Sequence, residues 1–322
     1  MKASIVIPNY NGEKFMETCL ESLKKQTEKS FEIIIVDNAS ADKSIDIAEK
    51  MFEDYPEKIL KIIKLDKNYG FSRAVNEGIK ASNAPYVILL NNDTETDKNF
   101  VHEMLKGIRK SKKIFSCASK MIQFNDRKKI DSAGDYYTLI GCTYTYGYGD
   151  DPDKYNQEKE IFSSCAGAAI YRKKLFDKIG YFDEKHFAYL EDVDIGYRAR
   201  IYGYKNVFLP DAVVYHVGSG SSGSRYNEFK VRLAARNNVY LNYKNMPLFQ
   251  LIINYPFILV GKLLKFAFMC RKGLGNTYIK GVIEGYRGIS QCKKVEFKWK
   301  NVNNYLKIEA ELCINLLKKL GD

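Results

Sequence analysis

The sequence predicts an α/β protein with a mainly parallel central sheet, followed by a C-terminal helical extension. Three observations carry that expectation. Four short runs rich in Ile and Val, SIVIP (4–8), FEIIIVD (31–37), KIIKL (61–65) and YVILLN (86–91), are almost continuously apolar and end in turn residues. That is the pattern of strands buried on both faces. Stretches with helical periodicity separate them, at 13–26, 42–53, 71–82 and 97–110, so strand and helix alternate at βαβ spacing. Finally, the charge divides the chain. Residues 1–224 hold 33 Lys+Arg and 33 Asp+Glu, whereas residues 225–322 hold 18 and 6 and carry all of the net +12. The division predicts a neutral α/β domain over 1–224 and a basic, amphipathic helical region over 225–322, serving membrane association or dimerisation.

The elements follow in order. Asp42 and Asp97 are candidate caps for the helices after them. From 121 to 160 the pattern weakens, and Tyr and Gly accumulate in DYYTLIGCTYTYGYGDDPDKYN (135–156). This reads as short strands and loops over one end of the sheet, either a surface insertion or a cover for substrate. SSCAGAAIYRKKLFDKIG (163–180) resumes as strand and helix, and Glu191 to Tyr202 forms a helix. NVFLP (206–210) and AVVYH (212–216) close the sheet, and GSGSSG (218–223) is a flexible loop. Helices follow at 226–244, 276–289 and 305–320. The segment PLFQLIINYPFILVGKLLKFAFMC (247–270) approaches the roughly 20 apolar residues of a membrane span, but Gln250, Asn254, Pro256, Lys262 and Lys265 interrupt it. An interfacial pair of amphipathic helices is the expectation, with a helical cap on the core as the bland alternative.

Seven cysteines are scattered, odd in number and without a CxxC pair, which argues for a reducing compartment and against a disulfide frame or zinc ribbon. The N-terminal MKASIVIPNYNG has too short an apolar run for a signal peptide. The expected location is cytoplasmic, peripheral at the inner face of the cell membrane.

Chemistry concentrates at predicted strand ends. LLNNDT places Asn91, Asn92 and Asp93 after a strand, a carboxylate and amides suited to Mg²⁺ or Mn²⁺ that shares a diphosphate ligand. VDNASAD places Asp37 and Asn38 after another, where Asp37 can accept from a pyrimidine N3–H or a ribose hydroxyl. In the first loop, Tyr10 offers a face for base stacking, with the amides of Asn9 and Asn11 on either side. NYGFSRAVNEG contributes Asn68, Gly70, Phe71 with its free helix-start N–H groups, Arg73 and Asn76. Glu191 and Asp192 open a helix, whose N-terminus favours an ionised carboxylate and so a general base. His216 ends a strand and can ligate metal through a neutral ring nitrogen. Each feature alone has an ordinary explanation as a cap or turn. His102 and His186 have no comparable setting.

Read in order, these segments resemble glycosyltransferase family 2, particularly its rhamnosyltransferase-like and galactofuranosyltransferase-like members. The resemblance rests on SIVIPNYNG, IIIVDNASAD, NYGFSRAVNEG, YVILLNNDT, CAGAAIYRKKLFDKIGYFDEKHFAYLEDVDIGYRARIYGY and VVYHVGSGSS, and spans roughly 3–222. It implies the nucleotide-sugar-binding GT-A fold and an inverting mechanism. It implies that Pro8, Tyr10, Asp37 and Asn38 line the nucleotide pocket, and that Asn68, Gly70 and Asn76 border the diphosphate and sugar; Asn9, Asn11, Phe71 and Arg73 join them as donor-binding candidates from the reading of the residues above. Asn91-Asn92-Asp93 occupies the family's Asp-x-Asp position, with Asp93 and His216 as metal ligands and Asn91 in place of the first aspartate. Asp192 matches the catalytic base and Glu191 its partner. The implied partners are a dTDP-rhamnose or UDP-sugar donor and a saccharide acceptor, polyprenyl-diphosphate-linked in one version, with a homodimer as a further expectation. No Q-x-x-R-W run is present, which argues against a processive synthase. A sugar nucleotidyltransferase would want a glycine-rich, basic phosphate loop that NYNG lacks. A non-catalytic nucleotide-sugar-binding protein is the other alternative, and no nucleic-acid partner is expected.

Overall fold

The computed structural model describes residues 1–54, 59–218 and 226–321. Strands β1 (Ala3–Asn9), β2 (Phe31–Asp37), β3 (Leu60–Lys64) and β4 (Tyr86–Leu90) alternate with α1 (Glu13–Lys24), α2 (Ser44–Phe52) and α3 (Phe71–Ala81). They form a wholly parallel block in the order β4-β1-β2-β3. Their continuous apolar character has a simple cause: successive side chains serve two cores. Ile5, Ile7, Ile33 and Ile35 pack on one face of the sheet, while Val6, Ile34 and Val36 pack on the other.

The chain then adds β5 (Thr94–Thr96), α4 (Phe100–Arg109), β6 (Ile114–Gln123), β7 (Ile130–Ser132), a hairpin of β8 (Asp135–Tyr137) and β9 (Thr143–Thr145), β10 (Lys159–Ile161), β11 (Ala168–Arg172), α5 (Phe176–Ile179), α6 (Glu191–Ile201) and β12 (Lys205–His216). β11 inserts antiparallel between β4 and β6, and β12 runs parallel to β6. The carboxyl ends of β1, β2, β4, β6 and β12 therefore share one edge. β12 is a single strand where the sequence suggests two. Pro210 lacks an N–H for the ladder, and the interruption is absorbed as a register shift between Leu209 and Val213.

The two expected caps differ. Asp42 accepts from Ser44 N at 3.1 Å and from Glu13 N at 2.7 Å, so it serves the starts of both α2 and α1. Asp97 does not cap α4. Its carboxylate accepts from Asn99 N at 2.9 Å and shapes the turn before the helix.

The C-terminal region consists of α7 (Glu228–Asn245), α8 (Leu248–Arg271), α9 (Gly275–Gly288) and α10 (Val302–Gly321). Leu241, Ile258, Tyr305 and Leu312 share a core with Tyr137 and with Val193 and Tyr197 of α6. A buried ionic hub ties α6 to α7. Asp194 takes Arg198 Nη2 at 2.8 Å, Lys244 Nζ at 3.0 Å and Asn245 Nδ2 at 2.8 Å. The expected pair of helices over 247–270 is instead one helix, with exposed Pro256 on its outer face. Gln250 and Asn254 are buried and donate to Glu309 of α10 at 2.6 and 2.9 Å. The opposite side exposes Leu248, Ile252, Ile253, Leu263 and Leu264, each by more than half. The helix thus buries two amides along with Ile258 and Met269, while its outward side is largely apolar. The expected loop at 218–223 lies, beyond Gly218, outside the described residues.

Candidate active site

At the shared edge of the strand ends lies a cavity of about 1060 Å³. Pro8, Asn9, Tyr10, Asn38, Asn68, Gly70, Phe71, Asn91, Asn92, Asp93, Glu191, Asp192 and His216 all line it. The location is the one an open α/β sheet favours for ligands. Asn11, Asp37, Arg73 and Asn76 are not among the lining residues.

The reasons for those four are specific. Asn11 turns away to accept from Ala41 N at 2.9 Å. Asp37 is buried beneath the edge and accepts from Asn9 Nδ2 at 2.9 Å, Ser40 Oγ at 2.5 Å and Ser40 N at 3.1 Å. Asn92 Nδ2 in turn donates to Asn9 Oδ1 at 2.8 Å. One side-chain chain therefore links the ends of β4, β1 and β2, and Asp37 acts through Asn9. Arg73 pairs with Glu184 at 3.0 Å and Glu77 at 3.1 Å. Asn76 is buried and clasps the Phe182 backbone, donating at 2.8 Å and accepting at 3.0 Å.

The segment before α6 is strained. Phe187, Tyr189 and Leu190 have φ of 62°, 72° and 67°, each costing about 1–3 kcal/mol. Two neighbours hold it. The buried Asn237 of α7 points Nδ2 at the carbonyls of His186, Ala188 and Tyr189, at 2.9, 2.9 and 2.8 Å. From the other side, Ser72 N donates to Phe187 O at 3.2 Å. Gly70 has φ +86°, and a Cβ there would sit 2.5 Å from that carbonyl. The strained backbone delivers Glu191 and Asp192 to the cavity.

Three carboxyl groups gather there. Asp192 lies beside Asp135 and Cys165, their ligand atoms within 4.8 Å of one another. Burial pushes the Asp192 pKa up, against N–H donors from Val193 at 2.8 Å and Ala166 at 3.4 Å. The expectation that a helix start keeps this group readily ionised is therefore corrected: desolvation wins. Burial, then the charge of Asp192, raises Glu191 and Asp135 well above the carboxylate range. Glu191 Oε2 has no hydrogen-bond partner, and Asp135 has one hydroxyl, from Thr145 at 3.1 Å. The two N–H donors favour the ionised form of Asp192.

His216 sits between two other carboxylates, Nδ1 2.7 Å from Asp131 and Nε2 3.3 Å from Asp93. Burial would lower its pKa, but hydrogen bonds to Asp131 and Asp93 outweigh that and raise it to about 10. The donor set suits a hard divalent cation such as Mg²⁺ or Mn²⁺. Asp93 supplies oxygen, and His216 supplies Nε2 once its proton leaves. Asp131 on Nδ1 fixes the ring's orientation from behind. The Asp135–Cys165–Asp192 group suits it less well, because burial holds the Cys165 thiol protonated and hard cations prefer oxygen.

Asp131, Asp135 and Thr145 were not legible as site residues. They lie in the Tyr/Gly-rich stretch whose short strands give little periodicity. The paired aspartates in IDSAGD (130–135) are the one available signal. The β8–β9 hairpin, left open as insertion or cover, forms a wall of the cavity through Asp135, Thr143 and Thr145.

A model of glycosyl transferase family 2 matches residues 4–180, more than half of the chain. The chain belongs to that family. Among curated relatives, the glycosyltransferase YwdF of Bacillus subtilis (strain 168) is 31% identical over 186 residues, covering 57% of this chain and 62% of its own length. Glycosyltransferase GlyA of Streptococcus pneumoniae serotype 4 is 26% identical over 220 residues, covering 63% and 30%. A teichoic acid poly(glycerol phosphate) polymerase of Staphylococcus epidermidis is 35% identical over 94 residues, covering 29% and 13%. The chain thus spans less than two-thirds of each of these relatives.

Among solved structures, GalNAc-T7 with UDP, GalNAc and Mn²⁺ superposes with a TM-score of 0.60 at 16% identity, covering 75% of this chain and 47% of that one. The mannosyltransferase PcManGT from Pyrobaculum calidifontis, in complex with GDP-Man and Mn²⁺, gives 0.56 at 14%, covering 90% and 87%. S. aureus TarS 1-349 gives 0.51 at 20%, covering 92% and 94%. At such identities the likeness shows the fold alone, which is GT-A.

Proposed function

We propose that this glycosyltransferase is metal-dependent and inverting, moving a sugar from a dTDP- or UDP-linked donor to a hydroxyl of a lipid-linked saccharide acceptor. One observation carries the reading: a single cavity unites the nucleotide-side residues Asn9, Tyr10, Asn38 and Asn68, the Asp93–His216 pair, and Asp192.

Asp192 accepts the proton of the acceptor hydroxyl as that oxygen forms its bond to the anomeric carbon. The bond from that carbon to the diphosphate oxygen breaks with inversion, through a transition state of oxocarbenium character. Burial raises the pKa of Glu191 and Asp135, which favours their neutral forms beside the base. A cation held by Asp93 and His216 would neutralise the leaving diphosphate. Tyr10, which lines the cavity and is 42% exposed, offers its ring to the nucleobase.

In this reading residues 1–224 are catalytic and 225–322 dock the enzyme on the inner face of the cytoplasmic membrane. The outward apolar side of α8 supports that role, together with a +12 charge that falls wholly in this region. α8 is long and apolar enough to cross a membrane, but its inner face is tied to Glu309, so an interfacial position fits better. A homodimer through the same face is the alternative use.

A panel of dTDP- and UDP-sugars, with and without Mn²⁺, tests the donor assignment by thermal shift. One nucleotide class should raise the melting temperature with metal, equivalent to about 2.7 kcal/mol at a hundredfold excess over Kd. Asp93→Asn should remove the metal-dependent part. No shift with any donor would count against the reading.

A further inference from the structure

Beside the active-site cavity lies a second pocket of about 330 Å³ that the reaction above leaves unused. The β8–β9 turn, the segment before α6, and one side each of α7, α8 and α9 enclose it. It shares a wall with the larger cavity, through Thr143, Tyr189, Leu190, Lys230 and Ala234.

Its charge balance differs from its neighbour's, although Lys230 borders both. The active-site cavity is lined by Asp93, Asp135, Glu191, Asp192 and Glu228. Among the described residues, no Asp or Glu lines the second pocket, whereas Lys230, Lys262 and Lys265 do. The rest of the lining is largely apolar, with Val231, Met269 and Tyr278 in a small core of their own. Lys262 Nζ donates to Tyr286 Oη at 2.6 Å, and Lys265 Nζ lies 5.4 Å from the Phe268 ring centre. Both lysines line the pocket, and Leu263 and Leu264, between them on α8, are exposed.

Lysines alone would hold any phosphate, and an apolar wall alone any greasy tail. Together they select a molecule with both parts. Charge-assisted bonds hold the phosphates, and each buried methylene adds about 0.8 kcal/mol. The volume accommodates a diphosphate and the first part of a chain but not a long one, so a longer chain must leave along α8.

We infer that this pocket binds the lipid diphosphate end of the acceptor, whose saccharide reaches Asp192 across the shared wall and whose chain leaves along the apolar face of α8. The inference rests on the glycosyltransferase reading above for its saccharide, but not for its lipid phosphate.

Titration of the full chain with farnesyl diphosphate, farnesol, inorganic diphosphate and a short-chain phosphatidylglycerol tests it. Farnesyl diphosphate should bind at least tenfold tighter than the other three. The Lys262→Gln/Lys265→Gln variant should lose at least tenfold in that affinity while keeping its donor thermal shift, and Lys265→Glu alone should weaken it in the same direction. Unchanged affinity in both variants would overturn the proposal. So would displacement of the probe by UDP, which would place it in the donor site, or equal binding of phosphatidylglycerol, which would make the pocket a general headgroup site. Lysine-dependent probe binding in a protein that binds no donor would sink the reading above and leave this pocket standing. Donor binding without probe binding would do the opposite.

Discussion

The two halves of the molecule place their apolar residues in opposite ways. In β1 and β2 every Ile and Val is buried, and alternation alone decides which core each joins. In α8 the amides Gln250 and Asn254 are buried while Leu248 and Ile252 are 68% and 65% exposed. A strand buried on both faces is specified by its own few residues. The orientation of α8 is specified by Glu309, 59 and 55 residues further along. Local pattern therefore predicts the sheet, and a distant carboxylate decides the helix.

The largest effect is expected where a distant partner carries a charge. Asp194→Ala leaves Arg198 buried without its carboxylate and Lys244 with Asp183 alone, at 2.6 Å, and should cost about 3–5 kcal/mol in a denaturant-unfolding curve. A loss under 1 kcal/mol would show that α7 is not held through this hub.

Asn237 comes next. Asn237→Ala removes the donor that holds three carbonyls of the strained 186–190 segment, so Asp192 should lose its position. The expected result is a kcat lower by about tenfold to hundredfold with little change in donor KM. A variant that loses stability but keeps kcat would reduce Asn237 to a packing residue.

The pH profile sharpens the same point. Asp192 must be ionised to accept a proton, and burial raises its pKa. Activity should therefore fall, as pH decreases, through an acid limb above the ordinary aspartate value of about 3.9. A limb at or below that value would mean that water reaches the base.

The smallest effect on stability belongs to the outward face of α8. Leu263→Ser and Leu264→Ser should change unfolding free energy by no more than about 0.5 kcal/mol while weakening sedimentation with anionic liposomes. Unchanged liposome binding together with loss of a dimer in gel filtration would assign the face to a second copy.

The legibility of the site followed the same division. Asn9, Asn38, Asn91, Asn92, Asp93 and His216 stand at or just past the ends of apolar strands, so the pattern that revealed the sheet also placed them at its edge. Asp37, Asn11, Arg73 and Asn76 share those segments but not the cavity, because Ser40, Ala41, Glu184 and Phe182 claim their side chains. Spacing along a chain cannot reveal such partners. Asp131, Asp135 and Asn237 went unread for a related reason. Each acts through a group far away in sequence: His216 for Asp131, Asp192 for Asp135, and the 186–190 backbone for Asn237.

The most direct test of the central claim is proton NMR of donor hydrolysis with Mg²⁺ and water as acceptor, comparing the protein with its Asp192→Asn variant. The account predicts that the first sugar released has the inverted anomeric configuration, and that the variant is slower by about 10²–10⁴-fold with donor binding intact. Retained configuration, or an unimpaired variant, would contradict Asp192 as the base of an inverting transfer.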